Sequence, residues 1–341
     1  MKSSIYGAGS IGTVLGAYLS NSGVAIELVN RNQKHVDALN INGARVTGRV
    51  EFRASVNAIT PSEMQGPYDV IFLATKQSDN ESVARFLLPL LAEDGVVCTL
   101  QNGFPEPRLA GILGESRVIG CTVVWGATLE EPGVVRLTSK PGSMSFQIGS
   151  PFGLYESQVN KVKALLEHMC PVAIEENFIG ARFSKLLLNS AFSGLSVVLG
   201  MKFGEIAVDR RTRLIAQHII KECIDVAKAA RIKIMPVQGI DIVKLMDYSG
   251  PVKKRIANMI IPLAIHGHRD IRSGMLSDIE LGRKTDIDAV NGVICDFGRR
   301  FGQRTPYNTK VVEIVHGIEN KTYSPDTKNI RMFDMLTEIE G

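Results

Sequence analysis

The sequence lacks an excess of either charge. Its 39 Lys and Arg face 35 Asp and Glu, and a surplus of +4 over 341 residues is too thin to form the electrostatic footprint of a nucleic-acid or anionic-membrane binder. It also lacks a cysteine framework. The five cysteines, Cys98, Cys121, Cys170, Cys223 and Cys295, are odd in number and far apart, with no C-x-x-C pair for a disulfide scaffold, a redox couple or a metal. Long apolar runs are missing too. In the body of the chain the long uncharged stretch, Leu186 to Met201, is broken by Asn189, Ser190, Ser193, Gly194, Ser196 and Gly200 and falls short of the ~20 apolar residues of a membrane span. The glycine-broken run Ile5 to Leu19 has neither the h-region nor the cleavage site of a signal peptide. The expectation is a soluble, cytoplasmic protein with no nucleic-acid, membrane or metal partner. Internal repeats and low-complexity tracts are also missing.

What is present is an ordinary globular composition, 45% apolar and 22% charged with 32 Gly and 14 Pro, long enough for two domains of ~150 residues. In the first half, short β-rich runs alternate with helical ones, the pattern of a parallel sheet covered by helices. Strands are expected at Ser3–Tyr6, Ala25–Asn30, Val70–Ala74, Val96–Leu100 and Arg117–Thr122. Helices are expected at Ile11–Ser20, Lys34–Asn40, Ser82–Leu91, Pro107–Leu113 and Leu154–Met169. Short strands with Pro-Gly turns between Trp125 and Ile148 predict an antiparallel extension at the sheet edge. From about Phe178 strand signals almost vanish. Helical periodicity covers Phe183–Leu199, Thr212–Arg231, Ile240–Met246, Ser277–Leu281, Ile287–Phe301 and Thr309–Glu319. The fold expected is α/β, an N-terminal Rossmann-type parallel-sheet domain (1–176) followed by an all-helical domain (177–320). The polar tail 321–341, with one apolar cluster at Met332–Leu336, is expected to be loosely ordered.

Gly7-Ala8-Gly9-Ser10-Ile11-Gly12 follows the first strand and opens the first helix. In this G-x-G-x-x-G arrangement the first glycine permits the tight turn, the second lets the backbone approach a pyrophosphate, and the third lets the helix lie close to the strand. Free N–H groups at the helix start favour the phosphates. At the end of the second strand, where a carboxylate would bind the ribose 2′-hydroxyl of NAD, the chain has Asn30-Arg31. A guanidinium fork there favours the 2′-phosphate of NADP(H), the alternative being an ordinary solvated loop cation; strand alternation and distance from the tip make Glu27 a poor ribose ligand. Two further strand ends lead into Thr75-Lys76-Gln77 and Gln101-Asn102-Gly103-Phe104. Lys76 is read as a second cation at the nucleotide or a surface lysine, and Asn102 as a ribose or substrate ligand or part of an Asn-Gly turn.

On a helix over Phe183–Leu199, Lys185, Asn189, Ser193 and Ser196 fall within about 80° of arc while apolar residues cover the rest. A lysine on such a stripe is costly as a mere core residue, because burial disfavours its charged form. As a general acid it would protonate a carbonyl oxygen while hydride reaches the carbon; the alternative is a lysine that snorkels to solvent at the first turn.

With these segments assembled, the chain resembles the ketopantoate reductase (2-dehydropantoate 2-reductase) family from about residue 2 to about 320. The resemblance rests on the glycine motif, Asn30-Arg31, Ala74-Thr75-Lys76, Gln101-Asn102-Gly103, and Phe183-Ser184-Lys185-Leu186 with Asn189. Further on it includes Ser273-Gly274-Met275-Leu276-Ser277-Asp278-Ile279, Thr285-Asp286-Ile287-Asp288 with Asn291-Gly292, and Phe301-Gly302 through Pro306 and Asn308. It implies a Rossmann domain followed by a helical domain, NADPH as donor, Arg31 and Lys76 at the 2′-phosphate, and Lys185 as general acid. It also implies that Asn102 and Asn189 position substrate and nicotinamide, with Ser193, Ser273 and Asp286 at the substrate, in pantothenate biosynthesis. A second copy of the chain is the one macromolecular partner it allows. Three positions depart from the family pattern: Asp286 stands for a glutamate, Gly274 for a serine and Ser193 for an asparagine. The expected reaction is reduction of a 2-oxo acid, foremost ketopantoate. The alternatives are reduction of another branched 2-oxo acid or an imine, or a non-catalytic NADPH-binding regulator.

Overall fold

The computed structural model describes residues 1–153, 155–236 and 240–339, and the chain forms two compact units, Met1–Phe178 and Ile179–Gly341. The strands of the first unit are β1 (Ser3–Tyr6), β2 (Ile26–Val29), β3 (Ala44–Gly48), β4 (Phe52–Ala54), β5 (Asn57–Ile59), β6 (Tyr68–Leu73), β7 (Leu91–Thr99), β8 (Val118–Val123), β9 (Ala127–Glu131), β10 (Val134–Leu137), β11 (Phe146–Gly149) and β12 (Val172–Ile174). Its helices are α1 (Ser10–Asn21), α2 (Gln33–Asn42), α3 (Asn80–Leu87), α4 (Glu106–Leu113) and α5 (Glu156–Leu166). Eight strands form the main sheet in the order β12-β11-β8-β7-β6-β1-β2-β5. Strand β1 lies at its switch point, parallel to both neighbours, with Ile5 opposite Leu28 and Phe72. Ligands of such sheets bind beyond the carboxyl end of that strand.

The edge extension is only half as expected. Strand β11 does run antiparallel to β8, but β9 and β10 leave the main sheet and join β3 and β4 in a second, four-stranded sheet. Strands β3, β4 and β5 were not expected, because each is three to five residues long and charged or polar residues interrupt its apolar pattern. The second sheet covers the outer side of α1. That explains why α1 carries no charged side chain and is buried from Gly12 to Ala17: a helix apolar on every side needs cover on every side. Residue Leu154, the expected start of the helix that contains α5, lies outside the described residues.

The second unit is helical. Its elements are α6 (Phe178–Leu199), whose first residue belongs to the first unit, α7 (Phe203–Val208), α8 (Arg210–Ala229), α9 (Ile242–Met246), α10 (Pro251–Ala264), α11 (Gly274–Glu280), α12 (Val293–Phe301), α13 (Pro306–Glu319) and α14 (Asp334–Ile339). Helix α10 was not expected because Pro262 sits inside it and reads as a breaker. The expected helix over Ile287–Phe301 begins instead with a π turn at Asp288–Gly292. The tail corrects a second expectation. Residues Thr327–Phe333 form a 3-10 segment, Phe333 is fully buried, and Asn329 Nδ2 donates to the Val198 and Ser324 carbonyls, both at 2.9 Å. The short apolar cluster thus docks onto the helical core; Glu340 and Gly341 lie outside the described residues.

Candidate active site

In the first unit, the glycine loop is shaped by close approach. Gly7 has φ +104°, and a Cβ there would meet Thr75 N at 2.7 Å; a Cβ on Gly12 would meet the Gly7 carbonyl oxygen at 2.6 Å. Both glycines are therefore fixed by packing. Gly9 differs, since a Cβ there would meet nothing nearer than 4.0 Å. The open face of the loop is at Gly9, where a pyrophosphate would need the backbone. Helix α1 starts directly after it with no side-chain cap, which leaves its first N–H groups and the positive end of its dipole for an anion. These features fit a dinucleotide. Ser10 Oγ accepts from Leu129 N at 3.2 Å, Ala8 lies fully buried in the turn, and Ile11, in the first turn of α1, packs partly buried against the core.

A polar cluster holds this loop from behind. The Ala8 carbonyl accepts from Asn30 Nδ2 at 2.7 Å and Thr13 Oγ1 at 3.0 Å. Thr13 Oγ1 lies 3.2 Å from His35 Nε2, and His35 Nδ1 accepts from Gly133 N at 3.1 Å. Burial lowers the His35 pKa, with a smaller opposing effect from the Ala8 backbone, so the neutral ring that can accept from Gly133 is favoured. Asn30 is thus a loop-bracing residue. Glu27 accepts from the Tyr68 hydroxyl at 2.5 Å, away from the strand tip, as the sequence suggested.

Arg31 reaches out from the end of β2 with its side chain 75% exposed and pairs with Asp79 at 3.1 Å. Sequence reasoning missed Asp79, which arrives from the turn between β6 and α3. Lys76, in the same turn, is half-buried. The turn is anchored by a reciprocal amide pair: Gln101 Nε2 donates to Asn80 Oδ1 at 2.7 Å, Asn80 Nδ2 donates to Gln101 Oε1 at 3.1 Å, and Gln101 Nε2 also donates to the Thr75 carbonyl at 2.8 Å. Asn102 is exposed and is followed by Gly103 at φ +82°. Its backbone carbonyl accepts from Gln77 Nε2, so the Asn-Gly segment is a turn that leaves the Asn102 side chain at the surface.

In the second unit, α6 presents Lys185, Asn189 and Ser193 half-buried at four-residue spacing, between the fully buried Phe183, Leu187, Ala191 and Leu195. The stripe is shorter than expected. Ser196 is fully buried and its Oγ donates to the Met201 carbonyl at 2.6 Å, closing the end of the helix. Ser184, beside the lysine, donates to the Gly180 and Met235 carbonyls at 2.9 and 2.6 Å and ties this turn of α6 down.

The remaining expected residues sort by exposure. Ser273 is 2% exposed, and its Oγ caps α11 by accepting from Met275 N at 3.2 Å. The next residue, Gly274, is exposed, and a Cβ there would meet nothing within 4 Å. Asp286 is half-buried on a segment pinned by Glu319 Oε1, which accepts from Thr285 N and Oγ1, both at 2.7 Å. Asn291 and Asn308 are fully buried and structural. Asn291 Nδ2 donates to the Ser190 carbonyl and to Asn308 Oδ1, both at 3.0 Å, and Asn308 Nδ2 donates to Glu222 Oε2 at 2.7 Å. Gly194 leaves room for this relay, since a Cβ there would lie 2.7 Å from Asn291 Oδ1. Among the described residues no group of three His, Cys, Asp or Glu is placed to hold a metal ion. None of their helices is long and apolar enough to cross a membrane.

The sequence matches the family described as ketopantoate reductase PanE/ApbA over residues 4–151 and its C-terminal part over residues 177–319. It is 27% identical over 325 residues to a 2-dehydropantoate 2-reductase of Aquifex aeolicus, covering 94% of this chain and 97% of that one. A 2-dehydropantoate 2-reductase of Pyrococcus horikoshii is 28% identical over 325 residues, with coverage of 94% and 98%. Among solved structures, a PanE/ApbA family ketopantoate reductase from Ralstonia eutropha superposes with a TM-score of 0.78 at 26% identity, covering 94% of this chain and 99% of that one. A D-mandelate dehydrogenase solved with NADH and anilino(oxo)acetate shares the fold with a TM-score of 0.78 at 24% identity and the same coverage.

Proposed function

The chain belongs to the ketopantoate reductase family and is an oxidoreductase, and from that premise we propose that it uses NADPH to reduce a small 2-oxo carboxylate to the 2-hydroxy acid, with 2-dehydropantoate to pantoate as the reaction. The observation that carries this reading is Lys185, held half-buried with Asn189 and Ser193 on a helix whose other faces are apolar. A non-catalytic NADPH sensor has no use for a proton donor in that position. The glycine loop and the start of α1 hold the pyrophosphate, and Arg31 with Lys76 holds the 2′-phosphate. When bound, the reduced nicotinamide supplies hydride to the carbonyl carbon. Lys185 Nζ hydrogen-bonds the carbonyl oxygen and gives up its proton as negative charge develops there. Asn189 and Ser193 orient the substrate, and Asp286 accepts from a substrate hydroxyl. The test is NADPH oxidation with a panel of 2-oxo acids and imines; oxidation with none of them would replace the enzyme by the regulatory reading.

Cofactor choice is expected to depend on Arg31. A charge-assisted bond to phosphate is worth ~1.5–3 kcal/mol, so Arg31→Ala should weaken NADPH roughly 10- to 100-fold and leave NADH nearly unchanged. Equal losses for both dinucleotides, measured by calorimetry, would make Arg31 a structural residue.

A broader substrate pocket is favoured by two observations. Gly274 has open space where a side chain would be, and Asp286 reaches one methylene less than a glutamate. A hydrogen bond stretched beyond ~3.5 Å is lost unless water bridges it. On this second reading, that of a reductase of another branched 2-oxo acid, the expected result is slow ketopantoate reduction, faster reduction of a bulkier 2-oxo acid, and a roughly 10-fold gain in kcat/KM for ketopantoate in Asp286→Glu, within the range of one pocket contact. The open space at Gly274 means that Gly274→Ser should be tolerated and add to that gain. Efficient wild-type turnover of ketopantoate, with Asp286→Glu neutral or harmful, would make this an ordinary ketopantoate reductase.

A further inference from the structure

The carboxylate that is missing from the end of β2 is delivered by another strand end. Asp79 stands 48 residues from Arg31, yet its Oδ2 accepts from Arg31 Nη2 at 3.1 Å. The pair is not buried: Arg31 is 75% and Asp79 37% exposed, and its two residues follow the ends of β2 and β6, the strands that flank β1. Asp79 therefore sits beyond the ends of the switch-point strands, in the turn that also carries Lys76 and bonded to Arg31 after the end of β2. That is the side of the loop on which a dinucleotide presents its adenosine ribose.

We propose that Asp79 is a specificity-determining residue of the dinucleotide site, which limits the preference for a 2′-phosphate and allows a ribose bearing a 2′-hydroxyl to be accepted. The inference rests on the reading that Arg31 holds the 2′-phosphate. A carboxylate bonded to the guanidinium occupies one of its donors and repels the incoming phosphate. It leaves the Arg31 guanidinium opposed by a negative charge where an unopposed one would select a phosphate more strongly. The same carboxylate can accept a hydrogen bond from a 2′-hydroxyl, as an acidic residue at this place does in NAD sites. The site thus holds the recognition elements for both dinucleotides, one just after β2 and one on the turn after β6.

The test is calorimetric affinity for NADPH and NADH in the wild type, Asp79→Asn, Asp79→Ser and Arg31→Ala. Asp79→Asn should bind NADPH about 3- to 10-fold more tightly, as expected for removing one exposed like charge, with a gain that shrinks at high salt. NADH should be unchanged or weakened up to a few-fold. Asp79→Ser should move both affinities in the same directions, which guards against an effect peculiar to one side chain. NADPH binding that is unchanged or weaker in both Asp79 variants would overturn the proposal and make Asp79 a residue that merely orients Arg31. If Arg31→Ala still loses NADPH selectively in that case, only this inference fails; if Arg31→Ala costs both dinucleotides equally, the underlying assignment of the phosphate site fails with it.

Discussion

Lys185→Ala is expected to lower kcat by on the order of 10²–10⁴ and to leave the affinity for NADPH within a few-fold. The expectation follows from where the lysine is and what surrounds it. Its neighbours Phe183, Leu186 and Leu187 are 1%, 1% and 0% exposed, and Ser184 is bonded to two carbonyls. The backbone of this turn is therefore held by groups other than the lysine, so truncation should remove a proton donor without moving the helix. A donor that acts on charge developing at a carbonyl oxygen stabilises the transition state more than the bound ketone. Its loss therefore appears in kcat, and in kcat/KM by the same factor. Lys185→Arg should not rescue turnover, because a guanidinium keeps its proton throughout the accessible pH range. Turnover within a few-fold of wild type in Lys185→Ala would remove the lysine from the mechanism and turn attention to Lys76.

The parts of the site legible in the sequence are those in which neighbouring residues carry the whole message. The glycine motif is one: Gly7 and Gly12 are positions where a Cβ would strike backbone, and the need for glycine shows directly in the letters. Helix α6 is another, because its apolar faces and polar stripe share one period. The pairing of Arg31 with Asp79 could not be read that way. It joins exposed residues from two strand ends, and exposed charges carry no period that sequence reasoning can follow. The strand end was legible through Thr75-Lys76-Gln77, but nothing in the letters singled out Asp79 three residues beyond Lys76. The second sheet was hidden for a similar reason, since strands as short as β4 and β5 need partners from distant segments to exist at all.

The resemblance also brought Asn291 and Asn308 to notice without revealing what they do, and the structure assigns them to stability. The start of α13 has no side-chain cap from Thr305. The missing acceptor comes from the middle of α8, where Glu222 takes Tyr307 N at 2.7 Å, Asn308 N at 2.9 Å and Asn308 Nδ2 at 2.7 Å. From Asn308 the chain of bonds continues through Asn291 to the Ser190 carbonyl on α6, next to Asn189. A buried carboxylate is tolerated here because it meets three donors and the positive end of a helix.

Glu222→Ala should consequently destabilise the helical unit by about 3 kcal/mol. The substitution leaves two backbone N–H groups and an amide without an acceptor, each costing ~1–3 kcal/mol when buried, reduced by whatever water enters the space. For a unit of this size that corresponds to a fall in Tm of roughly 6–12 °C. Glu222→Gln keeps one carbonyl oxygen as acceptor but replaces the other with a donor that faces donors, so it should fall between alanine and wild type. The ordering separates a cap from a mere filler of space: if volume alone mattered, glutamine would match the wild type. Thermal unfolding of the two variants decides the point, and a Tm in Glu222→Ala within about 2 °C of wild type would mean that the start of α13 finds its partners elsewhere.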